Sequence, residues 1–370
     1  MIGGRFLDRF VARGSKPDET VHFSMRALAR ANRAMAAHFL WDTNPVPEMP
    51  PPFFVQLGCG DRVLDGFLNL DFLPHDARVH AWNLLDLWPE PWAGVADGVF
   101  SEDVLEHFFY GEQAYILCNV NRALRERAVA RTLMPSLSRL VDYGAAYSPE
   151  SRDVMYTAFG VDTGGDALNM GMRFGGHRWL HTQQSLARLA QMCGFEAEST
   201  TCARSSVERF AGINLRGEND SLAFANDLHK KRNVARTILA PDAIDGARHV
   251  EEVSDGMHVF VSTVDHPTVR YVLPVKVEAS SFACLNVRST NLSSFLEHSL
   301  KWLCINEERR DNPWHFDETQ KSRPCMNVVT RNQLRAIAAD LDAIASFTFS
   351  PAARAGEYFV IGCAELYRLS

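Results

Sequence analysis

Two short strands joined by a glycine turn lie between Val55 and Asp71, and this segment constrains the fold most strongly. Gly58 and Gly60 follow the first strand; without a Cβ, they let the chain turn sharply and let a ligand approach the backbone. The second strand ends in Asp71, eleven residues beyond Gly60. Ligands of open α/β sheets bind at the carboxyl ends of parallel strands, where an acid can accept ribose hydroxyl hydrogen bonds. The segment therefore predicts a ligand site on a parallel sheet.

Strand-like and helix-like stretches alternate from this segment to about residue 230. Gly98–Ser101 has the character of a buried strand, and Tyr110–Arg125 has helical spacing. A further helix is predicted over Thr182–Cys193, with Thr182 as its N-cap and Gly194 as its stop signal. This alternation predicts a mostly parallel sheet with helices on both faces.

The pattern changes after about Arg236, where short runs with partial period-two alternation are separated by turn residues. They predict a second, antiparallel domain of β-sandwich type, interrupted by a helix over Leu334–Ile344 and joined through a linker at Ala240–Gly246. The predicted strands are His258–Asp265, Arg270–Glu278, Ser281–Arg288, Met326–Thr330 and Glu357–Leu369.

Three regions follow from these patterns along the 370 residues. Residues 1–48 are predicted to be helical and to end at a proline-rich break that a helix cannot cross. Residues 49–238 form the α/β domain and residues 246–370 the β-rich domain. The apolar face of the first helix has two interpretations. It packs on the α/β domain or on a dimer partner, or it makes a weak contact with a membrane surface.

Charge and cysteine usage exclude several classes of function. The net charge of −7 argues against a chain built to coat nucleic acid. The eight cysteines form no CxxC pair, so neither a zinc ribbon nor a redox motif is supported, and reduced cysteines predict a cytoplasmic protein. No apolar run approaches 18 residues, so no spanning helix is expected.

The sequence VQLGCGDRVLDGFLNLD, from Val55 to Asp71, resembles the first two motifs of class I S-adenosylmethionine (SAM)-dependent methyltransferases of the small-molecule and sugar-modifying type. Three later segments resemble further motifs of this family in the same order, and the resemblance covers roughly residues 52–230. It implies a Rossmann-like domain that binds SAM. The three segments are Asn83–Pro89, Ala96–His107 and Gly175–Phe195.

The resemblance also assigns residues to the cofactor. Asp71 would bind the ribose and Asp86 the adenine, with Ser101 and Glu102 nearby at the end of the fourth strand. A dinucleotide site is disfavoured because no third glycine follows Gly60. One departure from the family pattern is Leu124–Ala128, where a glycine-rich turn is usual, and it is expected to alter the loop before the next strand. The complete predicted cofactor set is Gly58, Cys59, Gly60, Asp71, Asp86, Ser101 and Glu102.

Methyl transfer to a hydroxyl needs a base, and a neutral histidine suits this task near neutral pH. His107, which follows the fourth strand, and His177, in the late loop, are the candidate catalytic residues, each with a structural role as the alternative. His177 and His181 have HxxxH spacing, but the glycines before them argue against a helix and no third ligand stands out, so no metal site is predicted. Arg173 and Arg178 either meet an anionic substrate or are solvent-exposed.

The leading hypothesis is O-methylation of a sugar, glycan or related polar metabolite. The alternatives are N- or C-methylation of a small natural product and a non-catalytic interaction module. In the β-rich domain, Tyr271, Trp302 and Trp314 either offer stacking faces to a sugar or belong to the core, and Asp311–His315 is predicted to be an exposed recognition loop. As an alternative to recognising a sugar, the β-rich domain forms the contact between two copies of the chain in a homodimer.

Overall fold

The computed structural model describes residues 52–72, 76–147, 163–173, 176–202, 204–211, 213, 222–253, 257–291, 303–305, 308–309, 327–332, 342–352 and 354–370. The predictions for residues 1–48, for Trp302 and Trp314 and for the Asp311–His315 loop lie outside these residues. No helix among the described residues is long and apolar enough to cross a membrane.

A seven-stranded sheet forms the first part of the described chain, with strand order β3-β2-β1-β4-β5-β7-β6. β7 alone runs antiparallel to the other six strands. The chain steps outward from β1 to β3 and then returns to the other side of β1, so the strand order reverses between β1 and β4 and creates a ligand-binding crevice. The predicted mostly parallel sheet is confirmed. Its strands are β1 (Phe54–Leu57), β2 (Leu68–Asp71), β3 (Val79–Ala81), β4 (Ala96–Glu102), β5 (Leu124–Pro135), β6 (Phe195–Thr200) and β7 (Ala223–Lys230).

Four α-helices are described: α1 (Tyr110–Ala123), α2 (Leu137–Ala146), α3 (Gly164–Arg173) and α4 (Gln183–Met192). Both predicted signals of α4 are confirmed. The Ser185 amide donates to Thr182 Oγ1 at 3.1 Å, and Gly194 follows the helix with φ of 86°. The prediction that α1 extends to Arg125 was wrong by two residues, because β5 begins at Leu124.

The departure at Leu124–Ala128 produces an irregular entry into β5. Leu124 pairs with Ala96 and Val129 pairs with Gly98, so the intervening residues of β5 bulge out of the ladder. Within the bulge, Arg127 has φ of 62°, a left-handed conformation that glycine adopts without strain.

The two faces of the seven-stranded sheet are covered differently. On one face, α1 packs over β1 and β4, and Leu57, Val99 and Ser101 line a small cavity together with α1 residues. The other face carries an aromatic cluster, Phe54, Phe67, Phe100 and Phe210, in which Phe210 comes from the short 3-10 helix Glu208–Phe210.

The remaining strands form two antiparallel sheets, which confirms the predicted β-rich region. The prediction of a helix over Leu334–Ile344 was wrong at its end, because Ala343 and Ile344 begin the strand Ala343–Phe349; residues 334–341 lie outside the described residues. The six-stranded sheet holds β8 (Val234–Leu239), β10 (Ala247–Val253), β11 (Met257–Ser262), β13 (Phe282–Asn291), β16 (Asn327–Thr330) and β18 (Tyr358–Leu369), and the five-stranded sheet holds β9 (Ala243–Asp245), β12 (Thr268–Glu278), β14 (Leu303–Ile305), β15 (Glu308–Arg309) and β17 (Ala343–Phe349).

Both antiparallel sheets contribute to one hydrophobic core, and Tyr271 belongs to it. The Tyr271 ring is fully buried and stacks on Phe347 at 5.1 Å between ring centroids, and its hydroxyl donates to the Gly362 carbonyl at 2.8 Å. The interpretation of Tyr271 as a stacking face for a sugar is therefore wrong. A large aromatic ring in a β-strand stabilises the fold more when it is buried in the core than when it is exposed at the end of a strand.

Helix α1 lies between the seven-stranded sheet and the six-stranded sheet. Its outer side contacts β8, β13 and β16. A Cβ on Gly111 would come within 2.9 Å of the Val328 carbonyl oxygen, and Cys118 Sγ lies 3.7 Å from Cys284 Sγ. Because α1 is covered on both sides, almost all of its residues are buried, including the polar Gln113 and Asn119.

Candidate functional site

The turn after β1 is built from two glycines in the left-handed conformation, with φ of 58° at Gly58 and 54° at Gly60. A Cβ on Gly58 would lie 2.7 Å from Val104 Cγ2, so packing requires glycine there. A Cβ on Gly60 would meet nothing within 4 Å. The backbone at Gly60 therefore faces open space at the carboxyl end of β1, where a ligand could approach it closely.

Asp71 closes this turn from the neighbouring strand. The Gly60 amide donates to Asp71 Oδ2 at 2.8 Å. This bond anchors the carboxylate at the end of β2 against the glycine turn. Between the two, Cys59 is buried, and burial, followed by the charge of Asp71, raises the pKa of its thiol to about 11. Cys59 is consequently a neutral packing residue whose amide donates to the Leu70 carbonyl at 3.1 Å.

The end of β4 lies beside the same turn. Ser101 pairs in register with Leu57, the residue before Gly58, and Glu102 follows it; both are buried. Asp86 lies beyond β3 in a turn in which its amide donates to the Asn83 carbonyl at 2.8 Å. The Tyr115 hydroxyl lies 3.0 Å from the Asp86 carbonyl. The topology thus places Ser101 next to the glycine turn, whereas Asp86 is held in place by the Tyr115 hydroxyl of α1.

A compact group of three side chains lies just beyond β4. The 3-10 helix Leu105–His107 presents Glu106 and His107, and the late loop presents His177. The imidazole centroids of His107 and His177 are 5.3 Å apart, and Glu106 Oε1 lies 4.0 Å from His177 Nε2. The sequence placed both histidines near the site independently, and the structure brings them together with Glu106.

Backbone hydrogen bonds fix the late loop against the 3-10 helix. The amides of Arg178 and Trp179 both donate to the Glu106 carbonyl, at 2.7 and 3.2 Å. Gln113 of α1 adds a side-chain bond to the Trp179 carbonyl at 3.1 Å. These bonds hold His177 in place although its segment has no regular secondary structure.

Burial shifts the protonation of the cluster toward neutral forms. Burial, with a smaller contribution from the charge of Glu102, raises the pKa of Glu106 to about 8. Burial and the neighbouring His107 lower the pKa of His177 below its ordinary value. Near neutral pH, His177 therefore carries a neutral imidazole, which is the form that accepts a proton or donates a lone pair.

The other loop candidates have structural roles or contacts. His181 is fully buried, with Nε2 2.8 Å from Gln113 Oε1 and Nδ1 2.8 Å from Ser185 Oγ, and burial lowers its pKa to about 4. Arg173 is exposed at the end of α3, and the Arg178 guanidinium lies over the Phe109 ring at 5.0 Å from its centroid.

Glu106 belongs to this candidate cluster but was not among the residues predicted from the sequence. The residue precedes His107 within a segment already singled out, so the adjacent acid was a signal. Its meaning depended on His177, which is 71 residues further along the chain. Sequence spacing does not reveal that these two segments are hydrogen-bonded together.

No protein-family profile and no curated protein matches this chain. Its fold is similar to that of a Haloferax volcanii methyltransferase-like chain solved with the Trm112 methyltransferase activator (11% identity, 59% of this chain and 98% of that chain, TM-score 0.30). It is also similar to human N-acetylserotonin methyltransferase in complex with SAM (12%, 49% and 48%, TM-score 0.28). A third structure is the xylan-binding module CBM86 of Roseburia intestinalis (12%, 37% and 96%, TM-score 0.26). At these identities and TM-scores, the similarity concerns the fold alone.

Proposed function

We propose that this chain is a SAM-dependent methyltransferase that methylates a hydroxyl of a sugar, glycan or related polar metabolite. The observation that carries the proposal is the left-handed glycine turn at the β1–β4 reversal, with its Gly60 amide bonded to Asp71. A parallel sheet binds ligands at this point. The acceptor is proposed from the sequence resemblance and from the nearby histidines.

The turn suits a nucleoside-type cofactor on the evidence of its own geometry. The space around Gly60 is open, and the anchored Asp71 carboxylate can accept the two hydroxyls of a ribose. Ser101 and Glu102 of β4 line the neighbouring strand end, and Asp86 is proposed for the adenine side. When bound, SAM supplies an electrophilic methyl group on a sulfonium.

The chain's own contribution to the reaction is to orient an acceptor and remove its proton. The His177 Nδ1 lies 3.2 Å from the Gly171 carbonyl, which can only accept, so Nδ1 carries the hydrogen and Nε2 keeps its lone pair. A hydroxyl placed between His107 and His177 would lose its proton to this lone pair as the methyl group is transferred.

Asp71→Asn is expected to weaken SAM binding by on the order of 100-fold, because each hydrogen bond to a charged group contributes about 1.5–3 kcal/mol. Asparagine can still accept the Gly60 amide through its carbonyl oxygen, so the turn is retained while charged acceptors for ribose are lost. Isothermal titration calorimetry with SAM measures the change.

Asp61→Asn is the matched control, since Asp61 is an exposed acid of the same turn. Its affinity for SAM should equal that of the unchanged chain. If Asp71→Asn bound SAM as tightly as the unchanged chain, the ribose assignment would be refuted. If the unchanged chain gave no heat with SAM at all, every methyltransferase hypothesis would be refuted in favour of an interaction module.

His177→Gln is expected to lower kcat/KM by about 10²–10⁴-fold, which is the usual contribution of a general base. In the unchanged enzyme, the rate should fall only as the pH drops below the lowered pKa of His177, because the imidazole is active while neutral. The acid limb should disappear in the variant. The assay measures transfer of labelled methyl groups to nucleotide sugars and cell-surface glycans. It identifies the acceptor and provides the pH profile of the rate. An unaltered pH profile in His177→Gln would show that another group is the base.

A further inference from the structure

Three metal-binding groups lie close together around one point. They are the side chains of Glu106, His107 and His177. One ligand atom from each lies within 4.8 Å of the other two. The Glu106 side chain is completely buried and that of His177 is 11% exposed, so these two groups are largely removed from solvent. Two histidines and one carboxylate form a common ligand set for catalytic metals.

His177 and Glu106 face one another in this cluster. The Gly171 carbonyl fixes the hydrogen of His177 on Nδ1, so the Nε2 lone pair is directed toward the cluster, where Glu106 Oε1 lies 4.0 Å away. Within the described part of the chain, neither oxygen of Glu106 accepts a hydrogen bond from a neighbouring residue. Ionising a buried acid without such bonds is costly, and a cation bound between the groups would offset that cost.

We propose that Glu106, His107 and His177 bind a divalent transition-metal ion, with zinc as the representative. Imidazole nitrogens favour zinc and its first-row neighbours over magnesium and calcium. Three protein ligands leave one position of a tetrahedral shell open, as in catalytic zinc sites. Ligand atoms of such a shell lie roughly 3.4 Å apart for bonds of about 2.1 Å, so the ion would draw the side chains together by about 1 Å.

The surroundings resemble the support that metal ligands usually have. Histidine ligands commonly donate their second ring hydrogen to a backbone carbonyl, and Gly171 accepts that bond here. The two amides that donate to the Glu106 carbonyl fix the loop against the 3-10 helix, so the ligands from both segments are positioned before any ion binds.

This inference does not depend on methyl transfer, since the ion would bind the chain without SAM. If a hydroxyl acceptor occupied the open position, the ion would lower its pKa, and the histidines would act as ligands rather than as the base. An EDTA-sensitive rate would then accompany the pH profile described above, whereas a direct histidine base would leave the rate unchanged by EDTA.

The test is titration of the full chain with zinc alone, followed by calorimetry, and with cobalt, followed by its visible d–d absorbance. One equivalent is expected to bind with micromolar or tighter affinity, without the sulfur-to-metal charge-transfer band that cysteine ligands would produce. Glu106→Gln and His177→Gln are each expected to weaken binding at least about 100-fold, since losing a residue that only hydrogen-bonds to a metal ligand already costs about 10–100-fold.

His229→Gln is the matched control, because His229 is a surface histidine paired with Glu198, and it should bind as the unchanged chain does. Circular dichroism establishes that each variant is folded. The proposal is overturned if no ion binds, or if Glu106→Gln and His177→Gln bind zinc as tightly as the control. A failure of SAM binding in the calorimetry above would leave this outcome unaffected.

Discussion

Arg131→Met is expected to lower the free energy of unfolding by about 3–5 kcal/mol, which is the usual cost of breaking a buried ion pair by removing one partner. Arg131 on β5 and Asp227 on β7 are both completely buried, and NH1 lies 2.8 Å from Oδ1. The guanidinium also donates to Thr200 Oγ1 and to the carbonyls of Thr201 and Cys202. Methionine would fill much of the volume but leave a charged carboxylate in the core.

The loss should depend on pH. Burial opposes the charge of Asp227, but hydrogen bonds from Ser206, Arg131 and Ser205 outweigh it and lower the pKa below 3.8. A lowered pKa contributes stability above the unfolded value that is lost as the pH falls through the folded value. In Arg131→Met, Asp227 should protonate more readily, so the difference from the unchanged chain should shrink between pH 7 and pH 4.

Urea unfolding followed by circular dichroism at both pH values measures this prediction. Arg78→Met is the control, because Arg78 forms an exposed ion pair with Asp65 and should change stability little. A loss below about 1 kcal/mol at pH 7 would show that the buried pair contributes no more than a surface pair.

Glu365→Met should destabilise the chain by a similar amount, about 3–5 kcal/mol. Glu365 on β18 is completely buried, and its oxygens lie 3.1 Å from Asn286 Nδ2, 3.3 Å from Arg288 Nε and 2.7 Å from the Tyr367 hydroxyl. Arg236 NH1 lies 3.7 Å away. Removing the carboxylate would leave two arginines close to one another without their shared counter-charge.

The same carboxylate connects the six-stranded sheet to α1. The Tyr115 hydroxyl lies 3.1 Å from Glu365 Oε1, and the Tyr367 hydroxyl lies 3.0 Å from Asn119 Oδ1. Glu365→Gln keeps the shape but removes the charge, so its loss should be smaller than that of Glu365→Met. Thermal and urea unfolding compare the two with Glu196→Gln, a control in an exposed ion pair; equal stability in all three variants would contradict the prediction.

Local signals in the sequence were sufficient for several elements. The glycine pair at Gly58 and Gly60 needs only its own turn, and Thr182 caps a helix through an amide three residues away. Such features depend on neighbours in the chain, so spacing predicts them. The helical end predicted at Ile344 failed because strand pairing with β12 decides that segment.

Contacts between distant segments could not be predicted in this way. Tyr115 and Glu365 are 250 residues apart, and Arg131 and Asp227 are 96 apart. The burial of Tyr271 depends on strands that follow it by more than 70 residues. The cluster at Glu106 likewise required the late loop to return to β4, so only its individual members carried a sequence signal.

Strand β18 lies inside its sheet, with β13 on one side and both β11 and β8 on the other. During synthesis, the ribosome delivers β18 after every strand that it joins. Until then β8 and β11 lack the strand that connects them to β13, and the Tyr115 side of α1 lacks Glu365. A nascent chain would therefore hold the helix beside the candidate site partly uncovered until β18 joins its sheet.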